Sequence, residues 1–165
     1  MLTIKTSMGD MKVELFEKEA PVTTANFLKY VSKGHYTNTI FHRVIKDFMV
    51  QGGGYDSDFN EKDTLPPIKN EAANGLKNKR GTLSMARTSD VHSATAQFFI
   101  NTVDNGFLDY QNPSPRGFGY CVFGEVVEGL DVLDKIRAVE TGSHGPHDDV
   151  PQEPVEIHEI SVIED

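Results

Sequence analysis

Short strand-forming stretches, separated by turn-rich loops, dominate this sequence and limit the folds that it can adopt. The opening residues read as a hairpin, because apolar and polar side chains alternate on either side of Gly9 and Asp10. Further strands are predicted at 41–45, 48–51, 82–85, 97–101, 120–125 and 155–163. The loops at 52–81 and 107–119 are long for a compact domain, and loops of that length often carry function.

Helical spacing of apolar residues occurs in only two places. The pattern predicts a first helix over 21–33, with Pro21 in its first turn and Gly34 after its end, and a second over 129–139. A doubly wound parallel sheet needs a helix after almost every strand. The pattern therefore predicts a mainly β fold, an antiparallel barrel or sandwich with two capping helices.

Length and charge narrow the functional classes. The chain has 165 residues, with 16 Lys and Arg against 25 Asp and Glu, so its net charge is −9. We expect one domain over 1–165, since domains usually span ~100–200 residues. Excess negative charge disfavours a nucleic-acid partner, whose phosphates need clustered Lys and Arg. No window approaches the ~20 apolar residues of a membrane span, so no membrane partner is expected.

The single cysteine, Cys121, cannot form an internal disulfide or a thiol metal cluster, which suits a reducing compartment. The first residues show no basic segment followed by a long apolar one, the pattern of a secretory signal. We therefore expect a cytoplasmic protein. A monomer is expected as well, because no uninterrupted apolar stripe remains once core and groove residues are assigned.

The first candidate for chemistry is Arg43, in the segment Phe41-His42-Arg43-Val44-Ile45. On a strand, Arg43 would share a face with Phe41 and Ile45. A permanent charge between two large apolar neighbours needs a partner or a function. A structural salt bridge is the ordinary explanation for an isolated arginine on a strand. The surrounding residues therefore have to decide between a salt bridge and a functional role for Arg43.

The neighbouring strands place apolar residues beside hydrogen-bonding ones. Met49 shares a face with Gln51, and Phe99 with Gln97, whereas Phe98 points to the opposite side. An ordinary barrel exterior would carry Lys and Glu at such positions. An apolar patch rimmed by donors is typical of a binding groove, although aromatic residues that fill a second core would give the same pattern.

Five segments, in order along the chain, carry a resemblance to a known family. They are FHRVI at 41–45, FMVQGG at 48–53, GTLSMA at 81–86, QFFIN at 97–101 and VFG at 122–124. Together they resemble the cyclophilin family of peptidyl-prolyl cis-trans isomerases over nearly the whole chain. Asn70-Glu71-Ala72 and the segment 93–97 are similar to the bacterial cytoplasmic branch.

The resemblance implies a closed antiparallel barrel of eight strands, capped by two helices. Side chains fill an interior of that size, so the ligand is expected on the outer wall. The resemblance further implies isomerisation of X-Pro bonds in proline-containing peptides and partially folded proteins, with neither cofactor nor metal.

The resemblance also assigns roles to particular residues. The catalytic set is Arg43, Gln51 and Phe48: Gln51 orients Arg43 and bonds the substrate backbone, and Phe48 lines the pocket for the proline ring. The expected substrate-binding residues are Met49, Phe99 and Leu108 around the ring, Ala86, Arg87 and Gln97 along the groove before proline, and Phe107 and Tyr120.

Three positions depart from the common family pattern. Phe107 stands where many members have Trp, which removes an indole N–H donor, so cyclosporin binding is expected to be weak at most. Tyr120 stands where His is common, and Arg87 where Asn is common. None of these changes removes the Arg43 guanidinium, so isomerase activity is still expected.

Three other interpretations compete with the isomerase. The six histidines match no familiar metal spacing: His42 is expected to be a satisfied packing residue, and 144–149 a solvated loop. A proline-peptide binding module or chaperone could use the same groove without turnover, and the intact Arg43 argues against it. A barrel that carries small apolar molecules would need small lumen residues, whereas Phe98 and Leu83 are bulky.

Overall fold

The computed structural model describes residues 1–163, in which two α-helices, eleven strands and two short 3-10 helices, Ala72–Asn74 and Gly106–Leu108, form the regular structure. The α-helices are α1 (Pro21–Ser32) and α2 (Leu130–Arg137). The strands are β1 (Leu2–Thr6), β2 (Gly9–Leu15), β3 (Thr39–Ile40), β4 (Arg43–Ile45), β5 (Met49–Gly52), β6 (Thr82–Met85), β7 (Phe98–Asn101), β8 (Val122–Glu128), β9 (Thr141–His144), β10 (His147–Pro151) and β11 (Glu156–Val162). One domain over 1–165 stays a prediction, and its last two residues lie outside the described part.

Both predicted helices are confirmed, and each buries one face. Pro21 occupies the first turn of α1, where a missing N–H costs no helical hydrogen bond. Phe27 and Tyr30 are fully buried on its inner side. In α2 the buried side chains include Leu133 and Ile136, three residues apart, so they fall on the same helical face.

Nine of the strands form one antiparallel sheet, in the order β3-β11-β1-β2-β8-β6-β7-β5-β4. The predicted opening hairpin is β1 and β2, with Leu2 opposite Val13. The remaining predicted strands are present, with their ends shifted by up to three residues. The part of the sheet that matters most for function is its β6-β7-β5-β4 end, because the candidate side chains lie there.

The predicted closed barrel of eight strands is wrong. The nine strands curl into a half-barrel whose edge strands, β3 and β4, do not pair with each other. Both edges belong to the single segment 39–45, because β3 pairs with β11 and β4 pairs with β5. Phe41 and His42 lie between the two edge strands and belong to neither of them, so the strand is interrupted there.

That interruption also corrects the predicted face of Phe41. Strand alternation placed Phe41 beside Arg43 and Ile45, yet Phe41 is fully buried in the main core. Alternation holds only along a continuous strand, and β4 begins at Arg43. Arg43 and Ile45 keep their common face, and Phe41 does not share it.

Aromatic side chains fill the interior. Phe27 and Tyr30 pack with Tyr36, Phe98 and Phe123, and the centroids of contacting rings are 5.0–6.1 Å apart. Leu83 and Phe98 are both fully buried in this core. Protein side chains therefore occupy the space that a molecule carried inside the sheet would need.

Residues 144–149 are largely exposed, as predicted, but the predicted loop is wrong, since these residues belong to a separate two-stranded hairpin formed by β9 and β10. β10 packs against the edge strand β4 and brings His147 to within 6.1 Å of the His42 ring, centroid to centroid. Within residues 1–163, no helix is both long and apolar enough to cross a lipid bilayer.

Candidate functional site

A solvent-open cavity of about 170 Å³ lies on the outer wall of the sheet, near its β4 edge. It gathers all the predicted site residues except Gln97 and Phe107: its lining is Arg43, Phe48, Met49, Gln51, Ala86, Arg87, Phe99, Leu108 and Tyr120. Gln97 lines a neighbouring cavity that shares Gln51, Ala86 and Arg87 with the first. The outer-wall position agrees with the prediction made from strand alternation.

A small apolar cluster forms the floor of this cavity. Met49, Phe99 and Leu108 are at most 8% exposed and pack together, apart from the main core. The two clusters separate because successive residues of a strand face opposite sides: Phe98 and Ile100 enter the main core, whereas Phe99 between them faces the cavity. The floor is therefore suited to an apolar ring of modest size.

Arg43 borders this floor and is held by a chain of side-chain hydrogen bonds. Its Nη1 donates to Gln51 Oε1 at 3.4 Å, and Gln51 Nε2 donates to Gln97 Oε1 at 2.9 Å. The register explains this alignment, because Gln51 lies opposite both Arg43 on β4 and Phe99 on β7. Within residues 1–163, no carboxylate lies within ion-pair distance of Arg43, so the structural salt bridge weighed for it is not formed.

Gly54 makes the position of Gln97 possible, a requirement that the sequence did not reveal. A Cβ atom built on Gly54 would overlap the Gln97 side chain at Cγ, Cδ and Nε2. A glycine here lets the backbone approach closely. Gly54 is thus part of the support for the Arg43 hydrogen-bond chain.

A buried polar network, which the sequence reasoning also missed, supports the other side of the cavity. Asn105 Nδ2 donates to the Phe48 carbonyl and to Asn101 Oδ1, each at 2.8 Å. Asn101 in turn donates to Thr82 Oγ1 at 2.9 Å, and both asparagines are at most 3% exposed. A polar Asn101 at the end of an apolar strand was the one signal in the sequence.

Phe107 lies at the rim and not in the lining. It is 70% exposed and stacks on Phe48, with ring centroids 5.6 Å apart. Tyr120 contacts the floor, because its ring meets Phe99 edge-on at 5.7 Å. Of the two aromatic residues that depart from the family pattern, Tyr120 therefore lines the cavity, whereas Phe107 contacts Phe48 at its border.

Arg87 is the second cation of the site, and several contacts fix it. Its Nε donates to the Gly119 carbonyl at 3.1 Å, and its Nη1 to the Thr88 carbonyl at 2.9 Å. Its guanidinium carbon lies 4.6 Å from the centroid of the Tyr120 ring. Such cation–π stacking stabilises an arginine that is partly removed from water.

His42 is a packing residue, as predicted, but it is not satisfied. It is 6% exposed against Tyr55, and its Nδ1 has no hydrogen-bond partner in the described residues 1–163. Burial, then the charges of His147 and Arg43, lower the pKa of His42 from 6.5 to about 4. A histidine that stays neutral and buried is poorly suited to acid–base chemistry at neutral pH.

Neither metal nor thiol chemistry has support in the described structure. Among residues 1–163, no three His, Cys, Asp or Glu side chains are grouped closely enough to hold a metal ion. Burial raises the pKa of the Cys121 thiol to about 11, so the reactive thiolate is scarce at neutral pH. The site therefore offers an apolar cavity, two oriented guanidiniums and amide side chains.

Comparison with known proteins gives this arrangement a family. Residues 1–162 match the family described as "Cyclophilin type peptidyl-prolyl cis-trans isomerase/CLD". Peptidyl-prolyl cis-trans isomerase B of Escherichia coli is 57% identical, with 99% of this chain and 100% of that protein covered. Peptidyl-prolyl cis-trans isomerase cyp18 of Streptomyces antibioticus is 56% identical, with 97% and 96% covered.

A solved structure agrees with these relatives. The cyclophilin type isomerase of Cryptosporidium parvum, crystallised in the presence of the dipeptide Ala-Pro, is 28% identical, with a TM-score of 0.77 and 99% of both chains covered. The relatives are named for catalysis, which favours the enzyme over a binding module without turnover. The chain belongs to the family of cyclophilin type peptidyl-prolyl cis-trans isomerases.

Proposed function

We propose that Arg43 catalyses prolyl isomerisation by donating a hydrogen bond to the prolyl nitrogen as the X-Pro bond twists. Resonance opposes rotation about a peptide bond with a barrier of ~18–20 kcal/mol. Halfway through rotation the nitrogen loses conjugation and regains a basic lone pair. A fixed donor aimed at this lone pair binds the twisted state better than either planar isomer, which is the condition for catalysis.

The observation that carries the proposal is an arginine, at the edge of an apolar cavity, that has no carboxylate partner among residues 1–163. An arginine committed to a structural ion pair would have little capacity to bind a nitrogen, whereas Arg43 contacts only the neutral Gln51 at 3.4 Å among its hydrogen-bond partners in 1–163. Arginine is always protonated and presents several rigidly placed N–H groups. No nucleophile or redox group is needed.

The cavity floor contributes the rest of the effect. Met49, Phe99 and Leu108 would hold the proline ring, with Phe48 at its side, while the acyl part of the substrate rotates. Removal of water favours the twisted state further, because the planar imide is the more polar form. Gln51 and Gln97 would keep the Arg43 guanidinium in place and bond the substrate backbone.

We also propose the substrates, the strength of cyclosporin binding, the cellular location and the oligomeric state of this isomerase. The substrates would be proline-containing peptides and partially folded proteins, in agreement with the dipeptide used for the Cryptosporidium parvum relative. Cyclosporin would bind weakly at most, because Phe107 offers no N–H donor. The buried free thiol of Cys121 supports a reducing compartment, the cytoplasm, and a monomer without nucleic-acid partners remains our expectation.

Substitution of Arg43 tests the proposal. A hydrogen bond to a charged group contributes ~1.5–3 kcal/mol, which converts to roughly 10- to 150-fold in rate. We expect Arg43→Ala to lower kcat/KM on a proline tetrapeptide by roughly 10- to 150-fold, and Arg43→Lys to lower it less, since the charge remains. Arg116→Ala, an exposed arginine outside the cavity, serves as the matched control.

The readout is the isomerisation rate, followed together with circular dichroism to show that each variant is folded. If folded Arg43→Ala retained near-normal kcat/KM, the guanidinium would have no role in catalysis and the proposal would be wrong.

A further inference from the structure

A second cavity adjoins the one assigned to proline, and Arg87 borders both. This neighbour has a volume of about 190 Å³ and shares Gln51, Ala86 and Arg87 with the first cavity. Its other lining side chains are uncharged and polar, among them Thr88, Ser93 and Thr95. Arg87 is therefore the one charged residue in its described lining.

The guanidinium of Arg87 is held in place but not neutralised. Two backbone carbonyls accept from its Nε and Nη1, and the Tyr120 ring supports one face of it. No carboxylate lies within ion-pair distance of Arg87 anywhere in residues 1–163. An arginine fixed in this way loses little further side-chain freedom when it binds an anion, so its donors are preorganised.

The geometry of an extended peptide decides which substrate residue would reach this cavity. The proposed function, on which this inference rests, places the proline ring in the first cavity. In an extended chain successive side chains point to opposite sides, so the residue directly before proline points away from the protein wall. The residue two positions before proline returns to the same side, about 6.6 Å along the chain, at a rise of ~3.3 Å per residue.

We propose that Arg87 selects substrates with an acidic side chain two residues before the proline. A carboxylate in the second cavity would accept from the free Arg87 donors, and the neighbouring hydroxyl and amide groups would satisfy its remaining lone pairs. The net charge of the protein, −9, repels acidic peptides at longer range and so opposes this preference. Selection of an acidic residue thus has to come from local contact with Arg87.

Four peptides with neutral caps test the proposal: acetyl-Xaa-Ala-Pro-Phe-amide with Xaa as Glu, Gln or Ala, and acetyl-Ala-Glu-Pro-Phe-amide. Their isomerisation is followed by exchange NMR, which avoids the sequence preference of a coupling protease. We expect kcat/KM for the Glu peptide to exceed that for the Gln peptide about fivefold at low salt, equivalent to ~1 kcal/mol. The excess should shrink in 0.5 M NaCl, because salt screens partly exposed charges.

Two variants connect this preference to Arg87. In Arg87→Gln the Glu/Gln ratio of kcat/KM should fall to one or below, whatever happens to the absolute rates. Lys18→Gln removes the same charge from an exposed position between β2 and α1, and should keep the ratio of the wild type. Using a ratio within each variant separates selectivity from any general loss of activity.

The possible results separate this inference from the proposed function. A Glu/Gln ratio near one in the wild type would overturn the role of Arg87, as would a ratio unchanged in Arg87→Gln. An Arg87-dependent preference seen only with acetyl-Ala-Glu-Pro-Phe-amide would show that the peptide position is wrong. Failure to accelerate any of the four peptides would instead contradict isomerisation at this site.

Discussion

Replacing His42 with leucine tests whether a buried neutral histidine beside Arg43 makes the fold sensitive to acid. Among residues 1–163, the groups identified around His42 are Tyr55, His147 and Arg43, and none of them carries a negative charge to compensate a protonated imidazole. Burial, followed by His147 and Arg43, lowers its pKa from 6.5 to about 4. Over most of the range between pH 6.5 and about pH 4, His42 is therefore protonated in the unfolded chain and neutral in the folded protein.

The sign and the magnitude follow from proton linkage. As pH falls below 6.5, the unfolded chain takes up a proton on His42 that the folded chain does not take up until about pH 4. The free energy of unfolding thus decreases over this window, and the stability is fully present only above it. Between pH 7 and pH 5 the loss due to this one residue is about 2 kcal/mol, at 1.36 kcal/mol per pKa unit.

Urea unfolding at pH 7 and pH 5 measures this loss. The wild type should lose about 2 kcal/mol more than His42→Leu between the two pH values. His35, whose pKa burial also lowers, remains in both proteins, so its contribution cancels. As a control, His158→Gln removes an exposed histidine of β11 and should leave the loss of the wild type unchanged. Equal losses in the wild type and His42→Leu would refute the linkage argument.

Two further substitutions examine the residues that support the cavity. Gly54→Ala should displace Gln97, lower the free energy of unfolding by ~1–3 kcal/mol through overpacking, and reduce kcat/KM several-fold. Gly142→Ala is the control, because its Cβ would meet nothing closer than 3.7 Å, and it should change neither quantity. Urea unfolding measures the stability and exchange NMR the rate. Asn105→Ala removes the buried donor to Asn101 Oδ1 and loosens Phe48. We expect urea unfolding to show a free energy of unfolding lower by ~1–3 kcal/mol, and we expect a higher KM for a proline peptide. Unchanged stability would show that the network is dispensable.

Much of the candidate site could be predicted because it depends on local alternation. A single strand, β5, places Met49 and Gln51 on the cavity side and Val50 in the core, and β7 does the same for Phe99 between Phe98 and Ile100. Alternation needs no knowledge of the partner strands. It failed where a strand was interrupted, as at Phe41, since a break resets which face the next residue takes.

The supporting contacts could not be predicted, because they join residues far apart in sequence. Asn105 bonds the backbone of Phe48, 57 positions away, and the space for Gln97 depends on Gly54. The stack of Arg87 on Tyr120 likewise joins two separate loops. No local pattern marks such pairs, since each exists only when the sheet has been assembled.

The amino-acid sequence alone determined the two helices, most strands, the side of each strand that faces the cavity, and the family to which Arg43 and its neighbours point. Tertiary structure decided that the sheet remains an open half-barrel, that 144–149 forms a hairpin beside β4, and that His42 is buried without a partner for Nδ1 in residues 1–163. The physical reason is the sequence separation over which each effect acts. Propensity and alternation act between near neighbours in sequence, whereas closure of the sheet, burial and pKa depend on which distant segments pack together.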